Sequence, residues 1–240
     1  MNAIAAAHVQ PTGAQRLRSQ GFLLWPGALS GADLARAGAQ ADAAVQGLDE
    51  AEAGSRDLLA HAGCAAWVAP LRRLLAASDV LDADAVAVQA SLFRKSASRN
   101  WKVAWHQDLS VPVAERIEHP QLRGWSRKQG LDFVQPPVGL LARLTVVRLH
   151  LDPCGGGDGP LRVVPGSHRH GRLRASQAQA LRAGAGETEC SAQPGDLLIM
   201  QPLLLHASSK AVRPQGRRRV LHFLFGPREP GYGLRWSVTI

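Results

Sequence analysis

The sequence predicts a mainly β fold, a sandwich or barrel with helices packed outside it. Three observations carry that expectation: short segments rich in Val, Leu, Ile and Phe recur from about residue 83 onward, Gly- and Pro-marked turns separate them, and Ala-rich helical stretches precede them. The chain has 240 residues and is 45% hydrophobic, enough for a single domain over 1–240, with a helical part at roughly 30–78 and a β core at roughly 83–225.

Each element has a local reason. Gly21-Phe22-Leu23-Leu24-Trp25 reads as a short strand closed by the Pro26-Gly27 turn, and Ser30 is placed to cap a helix over Ala32–Val45. A second helical region is expected from Ser55 to Ala77, interrupted by Gly63 and Pro70. Ala83–Phe93 alternates as a strand does, and Leu140–Leu151 reads as one long strand rich in Val, Leu and Thr. A Gly155–Gly159 turn, a strand at Leu161–Val164 and a Pro165-Gly166 turn follow. A brief helix is expected at Ser176–Ala183, then strands at Thr188–Ser191, Leu197–Gln201 and Arg218–Phe225, with Pro194-Gly195-Asp196 turning between the first two. The longest irregular stretch, Glu115–Pro137, is expected as a lid or a surface insertion.

Composition narrows the function classes. The formal charge of +9 and a pI near 10.6 invite a nucleic-acid reading, yet the arginines are scattered. Their densest run, Arg217-Arg218-Arg219, leads directly into an apolar strand, with no reader motif beside it. No nucleic-acid partner is expected, and a solvated basic surface accounts for most of the charge. Cys64, Cys154 and Cys190 lie far apart and form no Cys-x-x-Cys pair, which argues against a disulfide framework or a thiolate zinc site. Met1–Ala7 has no basic leader segment and no stretch approaches a membrane span, so a cytoplasmic protein without a membrane partner is expected.

Chemistry concentrates at Trp101-Lys-Val-Ala-Trp105-His106-Gln107-Asp108. On a strand, side chains two apart share a face, so His106 and Asp108 can reach one metal ion. His206 is well placed to be a third ligand. Two imidazoles and a carboxylate on one face of an octahedral ion leave positions open, the arrangement of non-haem iron(II) oxygenases. His150-Leu151-Asp152 repeats the His-x-Asp pattern, and spacing cannot choose between the two pairs. The first follows an irregular, Trp-flanked loop and is preferred; the second ends an apolar strand, where His150 reads as a hydrogen-bonded strand residue and Asp152 as a turn cap. His168-Arg169-His170 has no accompanying carboxylate, and His8, His61, His119 and His222 read as surface or satisfied core residues.

Taken together, these motifs resemble the phytanoyl-CoA dioxygenase family. The resemblance is carried by Asn100–Asp108, Arg148-Leu-His-Leu-Asp152, Gly159–Arg169 with its Pro165-Gly-Ser-His168 core, Pro194-Gly195-Asp196, Leu205-His206-Ala-Ser208 and Arg218-Arg219-Val-Leu-His222. It implies a double-stranded β-helix (jelly roll) with supporting N-terminal helices, and an enzyme that uses Fe(II), 2-oxoglutarate and O2. It further implies that His106, Asp108 and His206 hold the iron and that an arginine about eleven residues past the distal histidine binds the far carboxylate of 2-oxoglutarate, assisted by Ser208. Counting gives Arg217, whereas strand register gives Arg218, and register is favoured because loop length varies more freely.

The expected reaction is hydroxylation, or another oxidation, of a small-molecule substrate. Two alternatives remain open at this stage: a non-catalytic jelly-roll protein that binds metal or ligand, and a cupin-like metalloenzyme that does not use 2-oxoglutarate. Trp101, Trp105, Trp125 and Lys128 are positional candidates for the substrate pocket, although Trp commonly packs in cores and Lys is commonly solvated. The oligomeric state is not readable.

Overall fold

The computed structural model describes residues 12–46, 54–55, 57–95, 100–212 and 218–240. In chain order the elements begin with α1 (Gly13–Gln20), β1 (Phe22–Trp25), α2 (Gly31–Ala44), β2 (Gly54–Ser55), α3 (Ala62–Ala65), α4 (Val68–Ala76), β3 (Val86–Lys95) and β4 (Val103–His106). They continue with β5 (Val111–Val113), β6 (Arg123–Lys128), β7 (Leu131–Gln135), α5 (Val138–Leu141), β8 (Thr145–His150), β9 (Leu161–Val163) and α6 (Ala175–Ala185). β10 (Thr188–Cys190), β11 (Leu197–Met200), β12 (His206–Ser208) and β13 (Arg218–Gly226) complete the series.

The strands form antiparallel sheets. The major sheet runs β1-β11-β8-β13-β3-β2, the minor sheet β10-β9-β12-β4, and a third sheet β5-β7-β6. Two facing sheets with helices on the outer side make the double-stranded β-helix.

The major sheet is buried on both faces, so its central strands are apolar almost throughout, and alternation sorts their side chains. On β13, Leu221, Phe223 and Phe225 face outward and pack with Val147, Leu149 and Ile199 against Ala37 and Ala41 of α2 and Leu71 and Leu75 of α4. The intervening Leu224 faces inward and joins Val146, Leu198 and Met200 with Val163 of the minor sheet. Arg148, Arg218 and His222 occupy the inward positions of these same two strands and line a cavity between the sheets. Alternation in otherwise apolar strands thus delivers polar groups to the interior.

Several expectations change in detail. Helix α1 was not anticipated; Thr12 Oγ1 accepts from the Gln15 amide and Gln15 Oε1 accepts from the Thr12 amide, a capping box that starts it. Ser30 does occupy the N-cap of α2, but its side chain makes no capping bond. The region Ser55–Ala77 is not one interrupted helix. It opens with β2, passes through a 3-10 turn at Leu58–Ala60 and divides into α3 and α4. Gly63 lies inside α3, and Pro70 sits in the first turn of α4, where its missing N–H costs nothing.

Leu140–Leu151 is not one strand either. Leu140 and Leu141 belong to α5, and β8 starts at Thr145, because an apolar run has no periodicity with which to tell a buried helical turn from a strand. The stretch Glu115–Pro137 contains the β6–β7 hairpin, turned at Gln129 (φ 49°) and Gly130 (φ 80°), the positive pair that a two-residue hairpin turn needs. Its exposed, polar β6 gave little alternation to read. Among the described residues, no helix is long and apolar enough to cross a membrane.

Candidate metal centre and cosubstrate pocket

Strand register brings the distant histidines together. β12 pairs with β4 so that His206 lies opposite His106, with ring centroids 4.2 Å apart. Asp108, two residues past His106, is held by its amide donating to the Pro202 carbonyl (2.8 Å). Its carboxylate oxygens lie 3.6 Å from His106 Nε2 and 3.7 Å from His206 Nε2. The three donor groups fall within 4.8 Å of one another.

The intervening Gln107 points the other way. Its amide donates to the Gly171 and Leu203 carbonyls and its oxygen accepts from the Leu173 amide, which clamps the backbone between the two donors. In each histidine, Nδ1 sits against its own strand's carbonyl two residues back, Ala104 at 2.8 Å and Leu204 at 2.9 Å. Each Nδ1 therefore donates to its carbonyl, which leaves the Nε2 of the neutral ring free to bind a metal.

These residues fit a divalent metal. Asp108 Oδ2 is buried and has no hydrogen-bond partner among the described residues, a costly state for a carboxylate unless a cation meets it. Burial alone would raise the Asp108 carboxyl, but the charges of His206 and His106 and the bond to His106 outweigh it and hold the group well below the usual carboxylate range. Burial pushes His206 down to about 4, against the opposing pull of Asp108. For His106 burial acts in the same sense, yet the bond to Asp108 and its charge prevail and raise it.

The second His-x-Asp pair is structural. Arg219 donates to Asp152 from Nε (2.9 Å), Nη2 (2.8 Å) and the backbone amide (2.8 Å), and from Nη1 to Asp42 on α2 (2.7 Å). Asp152 is thus an anchor between sheet and helix rather than a turn cap. His150 faces inward; burial, with Arg148 and Arg218 adding to it, pushes it down to about 3, and among the described residues neither ring nitrogen has the hydrogen-bond partner expected of it. His168 turns away from the centre toward the Arg18 carbonyl (3.1 Å).

A cavity of about 440 Å³ opens beside the three donors. Arg218 and Ser208 line it; Arg217 lies outside the described residues. Arg218 is buried, with Nη1 donating to the Gly159 carbonyl and lying 3.7 Å from Cys154 Sγ. Of the arginine cluster, Arg218 turns inward and Arg219 is ion-paired.

Of the substrate-pocket candidates, Trp101 and Lys128 line the cavity. Trp105 and Trp125 do not: Trp105 stacks under Arg182 and Arg162, and Trp125 lies beside Arg116. Sequence reasoning missed Lys95, which pairs with Arg218 across β3 and β13 and is 3% exposed. Its Nζ donates to Ser208 Oγ (3.1 Å) and the Ser209 carbonyl (2.6 Å). Burial, with Arg218 adding to it, pushes Lys95 down to about 8. A lysine closing one apolar strand opposite an arginine opening another was the available signal. Arg148, which had no assigned role, and His222, read from the sequence as a surface or satisfied core residue, both lie on the cavity wall.

Comparison with known proteins agrees with this geometry. Similar crystal structures include AviO1 from Streptomyces viridochromogenes Tue57, with a TM-score of 0.63 and 20% identity over 89% of this chain and 93% of that one. The epimerase SnoN in complex with Fe3+, alpha ketoglutarate and nogalamycin RO has a TM-score of 0.67 at 14% identity, covering 90% and 82%. HygX from Streptomyces hygroscopicus, with nickel and 2-oxoglutarate bound, has 0.57 at 19% identity, covering 88% and 84%. At these identities the likeness establishes a shared fold. No curated protein sequence matches this one. The phytanoyl-CoA dioxygenase (PhyH) family matches residues 17–220. The chain belongs to that family and is a non-haem iron(II)- and 2-oxoglutarate-dependent oxygenase.

Proposed function

We propose that this enzyme hydroxylates a small-molecule substrate, with His106, Asp108 and His206 as the iron ligands and Arg218, Ser208 and Lys95 as the receptor for the distal carboxylate of 2-oxoglutarate. The observation that carries the reading is the convergence of two Nε2 lone pairs and a buried, unpartnered carboxylate oxygen at the edge of a cavity. Bound iron, 2-oxoglutarate and dioxygen together supply the oxidising power to replace C–H by C–OH.

The protein's part is positional. The Ala104 and Leu204 carbonyls fix the tautomer and the aim of both imidazoles. Arg218 offers a planar fork suited to a carboxylate, and Lys95 orients the Ser208 hydroxyl beside it. Val111 and Phe133 supply an apolar cavity wall that excludes water, and Lys128 gives it a cationic spot. The retained carboxylate at 108 favours hydroxylation over halogenation, which would need that ligand place free for a halide.

The experiment is anaerobic titration of the protein with Fe(II) and 2-oxoglutarate, watching for a weak visible charge-transfer band, followed by oxygen and measurement of succinate. The band and stoichiometric succinate are expected from the parent, with loss of turnover in Asp108→Ala. Turnover of that variant near the parent level would refute the ligand assignment.

A further inference from the structure

Arg148 is 8% exposed and points into the cavity from the middle of β8. A buried guanidinium is retained only when paired or richly hydrogen-bonded. Yet among the described residues Arg148 takes part in no ion pair, and its Nε has no partner. What the structure does give it is aim. Nη1 lies 3.1 Å from His222 Nδ1, on the residue opposite it across β8 and β13, and the guanidinium carbon sits 5.6 Å from the Phe93 ring centre. Burial and Arg148 itself keep His222 uncharged, so the imidazole accepts rather than repels. One side chain fixes the fork and the other backs it, leaving Nε without an acceptor among the described residues.

Position within the cavity narrows what the missing acceptor is. Arg148 and Arg218 line the same cavity as His106, Asp108 and His206. Among the described residues Arg218 also takes part in no ion pair and has an unpartnered Nε. Two buried guanidiniums along one cavity, neither in an ion pair among the described residues and one of them, Arg218, already assigned to the distal carboxylate, match a ligand with two carboxylates better than a ligand with one.

We infer that Arg148 receives the carboxylate adjacent to the keto group of 2-oxoglutarate, while Arg218 receives the distal one. The inference rests on the 2-oxoglutarate site proposed above and makes that site a two-arginine receptor for a dianion. His222 and Phe93 are positioning residues for Arg148.

The test compares two ligands on the Mn(II)-loaded protein by anaerobic calorimetry: 2-oxoglutarate, and 2-oxopentanoate, which keeps the 2-oxo acid end and lacks the distal carboxylate. Arg148→Met should weaken both ligands by about ten- to a hundredfold, as for a charge-assisted hydrogen bond. Arg218→Met should weaken 2-oxoglutarate by a similar factor and leave 2-oxopentanoate within about twofold. Arg148→Lys, which keeps the charge and loses the fork, should fall between the parent and Arg148→Met, and it provides a folded reference if Arg148→Met is unstable. Unchanged affinity of both ligands for the Arg148 variants would overturn the inference, as would a loss confined to 2-oxoglutarate. A parent protein that binds Mn(II) but neither ligand would instead overturn the 2-oxoglutarate site itself.

Discussion

The two His-x-Asp pairs make opposite predictions when their carboxylates are removed. Asp152→Ala takes three charge-assisted bonds from Arg219 and leaves that guanidinium, 16% exposed, with Asp42 alone. Each such bond contributes about 1.5–3 kcal/mol in isolation, but they share one pair of groups, and breaking one partner of a buried pair costs about 3–5 kcal/mol. Because this pair is partly solvated, about 3 kcal/mol is expected. In a chain of this size that is a fall in Tm of about 6–12 °C.

Asp108→Ala takes its carboxylate from His106 and His206, 3.6 and 3.7 Å away, and leaves the Arg219 bridge intact, so the metal-free protein should lose less Tm than Asp152→Ala does. Its Mn(II) or Fe(II) affinity should collapse while that of Asp152→Ala persists. The assays are thermal unfolding with and without metal and anaerobic metal titration. A metal-binding defect in Asp152→Ala with an intact site in Asp108→Ala would refute the assignment of roles.

Lys95 gives a pH prediction with two signs. Its folded pKa of about 8 lies below the ordinary 10.5, so the cation is lost as pH rises through 8 and 2-oxoglutarate binding should weaken by up to about tenfold per unit there. Folding responds the other way: below pH 8 the buried charge is a penalty, and relative to Lys95→Met the parent should gain stability between pH 8 and 10.5. Calorimetric affinity and unfolding free energy across that window check both, and a Lys95→Met profile parallel to the parent's would remove Lys95 from the receptor. Gly159 has φ 64°, and an added Cβ would collide with the Ser209 carbonyl. Gly159→Ala should therefore cost more than the ~1–2 kcal/mol of left-handed backbone strain and, by shifting the carbonyl that Arg218 holds, weaken 2-oxoglutarate binding. An unchanged melt and affinity would show that this turn does not set the Arg218 position.

Much of the fold was readable because burial imposes period-two alternation on strands such as β13. The misreadings fall where that constraint is absent: α5 is apolar on every side, and the exposed β6 carries almost no apolar pattern. The site was readable to the same extent. His106 and Asp108 announce themselves because strand geometry makes neighbours of residues two apart, and Arg218 separates from Arg219 because alternation sends them to opposite faces.

Local spacing and patterning in the sequence thus determined the β core, the shared face of His106 and Asp108 and the opposite faces of Arg218 and Arg219. Tertiary structure alone decided the rest: the β4–β12 pairing that sets His206 opposite His106 across a hundred residues of chain, the Arg219 bridge that assigns Asp152 to the helix packing, and the convergence of Lys95 and Arg148 on the cavity. The physical reason is that metal donors and buried cations are selected by distances between strands. Those distances follow from sheet register and closure, which no stretch of sequence shorter than the fold contains.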